Sequence, residues 1–98
     1  MRDRVRLSFE AGEGEVREVV LEPGDMVGRM ATCALRLDDP RISEAHALVS
    51  RRREGLVLLA LRGRLSVDGK PRTRVALEVG KRIVLASFLS VTVVARSC

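Results

Sequence analysis

Aromatic side chains are almost absent from this 98-residue chain: Phe9 and Phe88 are the only two, and there is no Trp or Tyr. Proteins that hold single-stranded nucleic acid stack its bases on aromatic faces, so that mode has no platform here. Cysteine is scarce as well. Cys33 and Cys98 lack CxxC spacing, and His46 is the one histidine. Zinc needs three or four such ligands, so no metal site is expected. Cys33, within MATCALRL, is expected to pack as a small apolar side chain. No apolar run approaches the ~20 residues of a membrane-spanning helix. The N-terminal MRDRVRLSFEAGEGE has no apolar stretch of signal-peptide type. The expectation is a soluble, cytoplasmic protein.

What the chain does have is apolar residues, 46% of the total, and arginine. The length sets an upper bound of one domain with a modest core. The expectation is a single domain over residues 1–98, either whole or cut from a longer chain. Eighteen basic residues against thirteen acidic ones leave a net charge of +5. Sixteen of the eighteen are Arg; only Lys70 and Lys81 are Lys. Arg offers a planar fork that matches phosphate and carboxylate, so an anionic partner fits: a phosphopeptide, an acidic protein or a nucleic acid, the last disfavoured by the missing aromatic platforms. Arg51-Arg52-Arg53, just before Glu54-Gly55, reads as a turn.

Glycine and proline punctuate the chain at short intervals, with β-rich runs between them. Strands are predicted at Val5–Phe9, Val16–Leu21, Asp25–Gly28, Leu35–Leu37, Ala47–Ser50, Leu56–Leu61, Leu65–Val67, Val75–Leu77, Arg82–Leu85 and Phe88–Ala95. Period-two alternation is clearest in the first and last. The turn signals between them are Ala11-Gly12-Glu13-Gly14, Pro23-Gly24-Asp25, Glu54-Gly55, Asp68-Gly69 and Gly80. Asp68-Gly69 is the strongest hairpin signal, because a type I′ turn needs positive φ at both central residues. LVLLAL at Leu56–Leu61 reads as a central strand buried on both faces. Short strands with frequent turns and no sustained helical period predict an all-β sandwich or barrel. Two segments stand out as irregular: the long connection Arg36–His46 and the shorter one around Arg62–Arg64.

No catalytic constellation is assembled. Ser43 precedes His46 by three residues, without a GxSxG elbow, so acyl transfer is not expected. Gly24–Arg29 lacks the GK[ST] ending of a phosphate loop, and no cofactor motif occurs elsewhere. Asp38-Asp39, before Pro40, reads as a turn cap before a cation site.

Gly28-Arg29, then Leu35-Arg36-Leu37-Asp38-Asp39-Pro40, then Ser43-Glu44-Ala45-His46 follow one another at spacings that resemble the forkhead-associated (FHA) domain. Val67-Asp68-Gly69-Lys70 and Leu77-Glu78-Val79-Gly80-Lys81-Arg82-Ile83 continue the resemblance, which covers roughly residues 5–95. The resemblance implies a sandwich of about eleven short strands in two sheets that binds phosphothreonine peptides through loops at one end, without catalysis. It implies phosphopeptide contacts from Arg29 and Ser43; Arg62 and Arg64 are expected to replace, by charge, the donors that the family usually carries in its second loop. It implies structural support from Gly28, His46, Asp68 and Gly69, with His46 bracing the loop from beneath. Bacterial modules of this kind accompany Ser/Thr kinases, secretion machinery or transcriptional regulators, and of these contexts kinase-linked signalling is the one expected here. The second loop, Leu61-Arg62-Gly63-Arg64-Leu65, departs from the family: it is shorter and carries no Asn. Glu44 stands where a basic or polar residue is usual. These departures leave a second function open, a phosphorylation-independent scaffold that docks a partner protein or its own parent chain.

Overall fold

Val5, Leu7 and Phe9 turn inward while Arg4, Arg6 and Glu10 stay in solvent, so Arg4–Glu10 forms the first strand, β1. The computed structural model describes residues 3–10 and 14–97, and ten more strands follow in it. They are β2 (Val16–Leu21), β3 (Met26–Gly28), β4 (Leu35–Arg36), β5 (Ala47–Arg52) and β6 (Gly55–Ala60). After them come β7 (Leu65–Val67), β8 (Lys70–Arg72), β9 (Arg74–Ala76), β10 (Arg82–Leu85) and β11 (Leu89–Ser97). No helix occurs among the described residues. One sheet has the order β2-β1-β11-β10-β7-β8 and the other β4-β3-β5-β6-β9. Among the described residues, only β3 and β4 pair in parallel.

The core lies between the two sheets. Val5, Leu7, Leu21, Ile83, Leu85 and Val93 from the first face Val27, Val49, Leu56 and Leu58 from the second. Two apolar residues outside the strands, Ile42 and Leu77, close the same cluster. Ile42 matters for the site, because its burial anchors the long connection between β4 and β5 to the core. Cys33 is buried too, as its apolar surroundings in the sequence suggest. The all-β, two-sheet sandwich of eleven short strands is therefore the architecture that forms.

The Asp68-Gly69 reading holds in detail. Both residues have positive φ, 52° and 78°, and Val67 pairs with Lys70 across a two-residue turn. That turn creates β8, a strand absent from the sequence reading, because Pro71 and its charged neighbours carry little β signal. Other boundaries shift for local reasons. Asp25 caps a turn instead of opening a strand: its Oδ2 accepts the Glu22 N–H at 2.8 Å. Arg51 and Arg52 belong to β5, paired with Leu56 and Gly55, and only Arg53-Glu54 make the turn. Phe88 sits in the loop before β11, since Ala86 and Ser87 both adopt positive φ. Only Leu56, Val57 and Leu58 of LVLLAL are fully buried. Leu61 ends the ladder: its N–H still donates to the His46 carbonyl in register, but the His46 N–H donates to the Val27 carbonyl and returns no bond. Of the predicted turn Ala11-Gly12-Glu13-Gly14, the first three residues lie outside the described residues, and Gly14 has a positive φ of 76°.

Candidate functional site

The site begins where β3 ends. A Cβ on Gly28 would fall on the backbone carbonyl of Glu44, with the Ser43 carbonyl also crowding it. Only glycine lets β3 pass this close to the 43–44 segment. Just beyond, the Arg29 N–H donates to the Ser43 carbonyl at 3.0 Å and the Met30 N–H to the Glu44 carbonyl at 3.2 Å. The Arg29 side chain follows the same path, its Nε donating to the Ile42 carbonyl at 3.1 Å. Arg36 Nε in turn donates to the Arg29 carbonyl. The base of the Arg29 guanidinium is thus fixed, while its two terminal nitrogens have no protein partner among the described residues.

His46 organises the junction with the second loop. It is 1% exposed. Its Nδ1 accepts the Ser43 N–H at 3.2 Å, and its Nε2 lies 2.9 Å from the Arg64 carbonyl. Those partners assign the neutral tautomer with the proton on Nε2, one acceptor and one donor. The His46 carbonyl accepts the N–H groups of Leu61 and Gly63, and the Ala45 carbonyl that of Arg62. Ser43 Oγ donates to the Arg62 carbonyl at 3.1 Å. Gly63 is seated directly on the imidazole, where a Cβ would overlap Nδ1 and its ring neighbours. Two loops nearly twenty positions apart in the chain are joined at one end of the sandwich by this network.

All four predicted contact residues, Arg29, Ser43, Arg62 and Arg64, therefore lie in one neighbourhood. Gly28 and His46 brace it through the contacts just described. Asp68 and Gly69 do not touch the network; they make the hairpin that sets β8 in place. Ser43, His46, Arg62, Gly63 and Arg64 border an open cleft of about 640 Å³. Arg41, Arg72, Thr73 and Ser87 border it too, and sequence reasoning missed them. Arg29 stands outside the cleft lining, joined to its wall by the bond from its N–H to the Ser43 carbonyl. Among the described residues no carboxylate lines the cleft, although the chain carries thirteen acidic residues.

Arg41 is held differently from the other arginines of the cleft. Its Nη2 meets Asp39 Oδ2 at 2.9 Å, its Nε and backbone N–H both donate to Asp39 Oδ1, and its guanidinium carbon lies 3.6 Å from the Phe88 ring centre. Asp39 is thereby a turn cap, as its place before Pro40 suggested. The Arg41 side-chain bonds, then its backbone N–H, lower the Asp39 carboxyl from its ordinary 3.8 to about 2. A folded value below the unfolded one means that the contribution of this turn is full above pH 3.8 and is lost as the pH falls through about 2. An NMR titration following the Asp39 carboxyl carbon is expected to give a midpoint near 2. A midpoint at the ordinary value would contradict the Arg41 geometry.

A two-sheet, helix-free sandwich that gathers basic and hydroxyl donors on loops at one end has the form of a binding module on a rigid scaffold. The family model for the FHA domain matches residues 26–86, and the chain belongs to that family. No curated protein matches it. Among solved structures, the Slr1951 protein from Synechocystis sp. superposes with a TM-score of 0.78 at 22% identity, with 100% of each chain covered. The FhaA FHA domain, complexed with the intracellular domain of another protein, gives 0.72 at 23% identity, covering 91% of this chain and 98% of that one. EmbR of Mycobacterium tuberculosis, in complex with a low-affinity phosphopeptide, gives 0.74 at 22% identity, covering 96% of this chain and 25% of that one.

Proposed function

We propose that this chain is a non-catalytic reader of phosphothreonine peptides in Ser/Thr kinase-linked signalling. The observation that carries the reading is the bonding of Ser43 to both loops: its carbonyl to Arg29, its hydroxyl to Arg62. A phosphate carries about −1.5 to −2 charges and three acceptor oxygens, which suits an unpartnered guanidinium fork beside a hydroxyl. Arg29 and Arg62 supply the charge. The Ser43 hydroxyl exchanges its neutral bond to the Arg62 carbonyl for a charge-assisted one to the phosphate. Arg64 flanks the peptide, and His46 keeps the two loops in register. The phosphopeptide held by EmbR, a protein of similar fold, supports the same class of ligand here.

The test is a degenerate phosphothreonine peptide library and its unphosphorylated twin, titrated by fluorescence polarisation. Preference for the phosphorylated library is expected. Arg29→Ala is expected to cut that binding by about 10- to 100-fold, the contribution of one charge-assisted bond, with a drop of a few degrees in melting temperature from the lost Nε bond to the Ile42 carbonyl. Equal affinity for both libraries sinks the reading. It would favour a phosphate-independent docking surface, for which one observation speaks: the Ser43 hydroxyl proton is already engaged by the Arg62 carbonyl.

A further inference from the structure

The cleft holds more positive charge than a single phosphate absorbs. Among the described residues, Arg4, Arg6, Arg17, Arg41, Arg51 and Arg74 each have a carboxylate within 4 Å. Arg62, Arg64 and Arg72 line the cleft with no acidic partner among the described residues. Guanidiniums crowded in one depression repel each other, and a concave wall concentrates their field on whatever enters. Arg29 and Arg62 together balance one phosphate of about −2. Arg64 and Arg72 remain.

Their placement is fixed by the fold. The Arg64 carbonyl accepts both His46 Nε2–H and the Ala86 N–H, so its backbone cannot drift. Arg72 is the cross-strand partner of Leu65, the residue next to Arg64. The Asp68-Gly69 hairpin thus holds Arg72 opposite Leu65, and Arg64 and Arg72 line the same cleft. The next residue, Thr73, is tied back through its carbonyl, which accepts the Ala60 N–H at 2.8 Å.

We infer that the cleft takes peptides carrying a second anionic group near the phosphothreonine, a phosphate or a cluster of carboxylates, seated on Arg64 and Arg72. This rests on the phosphopeptide reading of the site and adds the class of ligand to it. An extended peptide advances ~3.3 Å per residue, so the second group belongs within a few residues of the first.

The experiment compares four probes on the folded domain: a singly phosphorylated threonine peptide, the same peptide with a second phosphothreonine two to four residues before or after, the same peptide with glutamates there, and a single-stranded oligonucleotide as competitor. The doubly anionic peptides are expected to bind about five- to twenty-fold more tightly than the singly phosphorylated one. Arg72→Gln, on an exposed edge strand, is expected to erase that gain while weakening the singly phosphorylated peptide by less than about two-fold, the share of the cleft's general field. A gain from either source supports the inference; a larger one from phosphate identifies the second group as phosphoryl, and the reverse as acidic sequence. Single-phosphate binding with no gain overturns the inference while the phosphopeptide reading stands. No binding of any phosphopeptide overturns both. Equal displacement by the oligonucleotide also overturns it, since the cleft would then be a general polyanion surface.

Discussion

Gly63→Ala is expected to destabilise the fold by ~2–5 kcal/mol, more than any change at an exposed arginine. The new methyl group would occupy the space of the His46 ring. The ring has no retreat, because Nδ1 is held by the Ser43 N–H and Nε2 by the Arg64 carbonyl in a site with almost no solvent. The backbone could lift instead, but that breaks the bond from the Gly63 N–H to the His46 carbonyl. Overpacking alone costs about 1–3 kcal/mol, and each buried polar group left without a partner about as much again. Urea denaturation checks this through the midpoint at constant slope. An unchanged midpoint would show that residue 63 and the imidazole are not in contact.

His46→Ala is expected to cost a similar ~3–5 kcal/mol by the opposite route. Removing the ring leaves a void, strands the Ser43 N–H and leaves the Arg64 carbonyl with the Ala86 N–H as its remaining partner. The two substitutions are expected to be strongly non-additive. Once the ring is gone, a methyl group at residue 63 enters empty space, so Gly63→Ala in the His46→Ala background should cost less than ~1 kcal/mol. Simple addition of the two penalties would mean that Gly63 is needed for its backbone alone. The same cycle separates stability from recognition. Phosphopeptide affinity should fall in both single variants, because either change pulls the Ser43 loop away from the Arg62 loop.

Much of the scaffold is legible along the chain. The alternation of Val5, Leu7 and Phe9 reports which face of β1 is buried, and positive φ at Asp68 and Gly69 is written into those two residue types. Such features depend on neighbours one to three positions away. The boundaries that shifted depend on something farther off. Leu61 looks like a continuing strand until the His46 N–H turns to the Val27 carbonyl and ends the ladder, and Phe88 looks like a strand residue until the Ala86-Ser87 turn displaces it. Lys70–Arg72 has almost no β signal and is a strand only because the hairpin carries it beside β7.

The candidate site divides in the same way. The resemblance to the FHA domain pointed to Arg29 and Ser43 and to His46 as their brace, and the charge of the second loop pointed to Arg62 and Arg64. Nothing in the sequence marked Gly63 as the residue pressed on the imidazole, or Arg72 as a neighbour of Arg64. By itself the sequence determined an Arg-rich, aromatic-poor β-sandwich with two donor-bearing loops, because side-chain alternation and turn chemistry are local properties of the backbone. Only the tertiary structure decided which donors share one cleft and which are already engaged. Those contacts join residues 18 and 19 positions apart, His46 with Arg64 and Ser43 with Arg62, and they exist only once two sheets have packed around a common core.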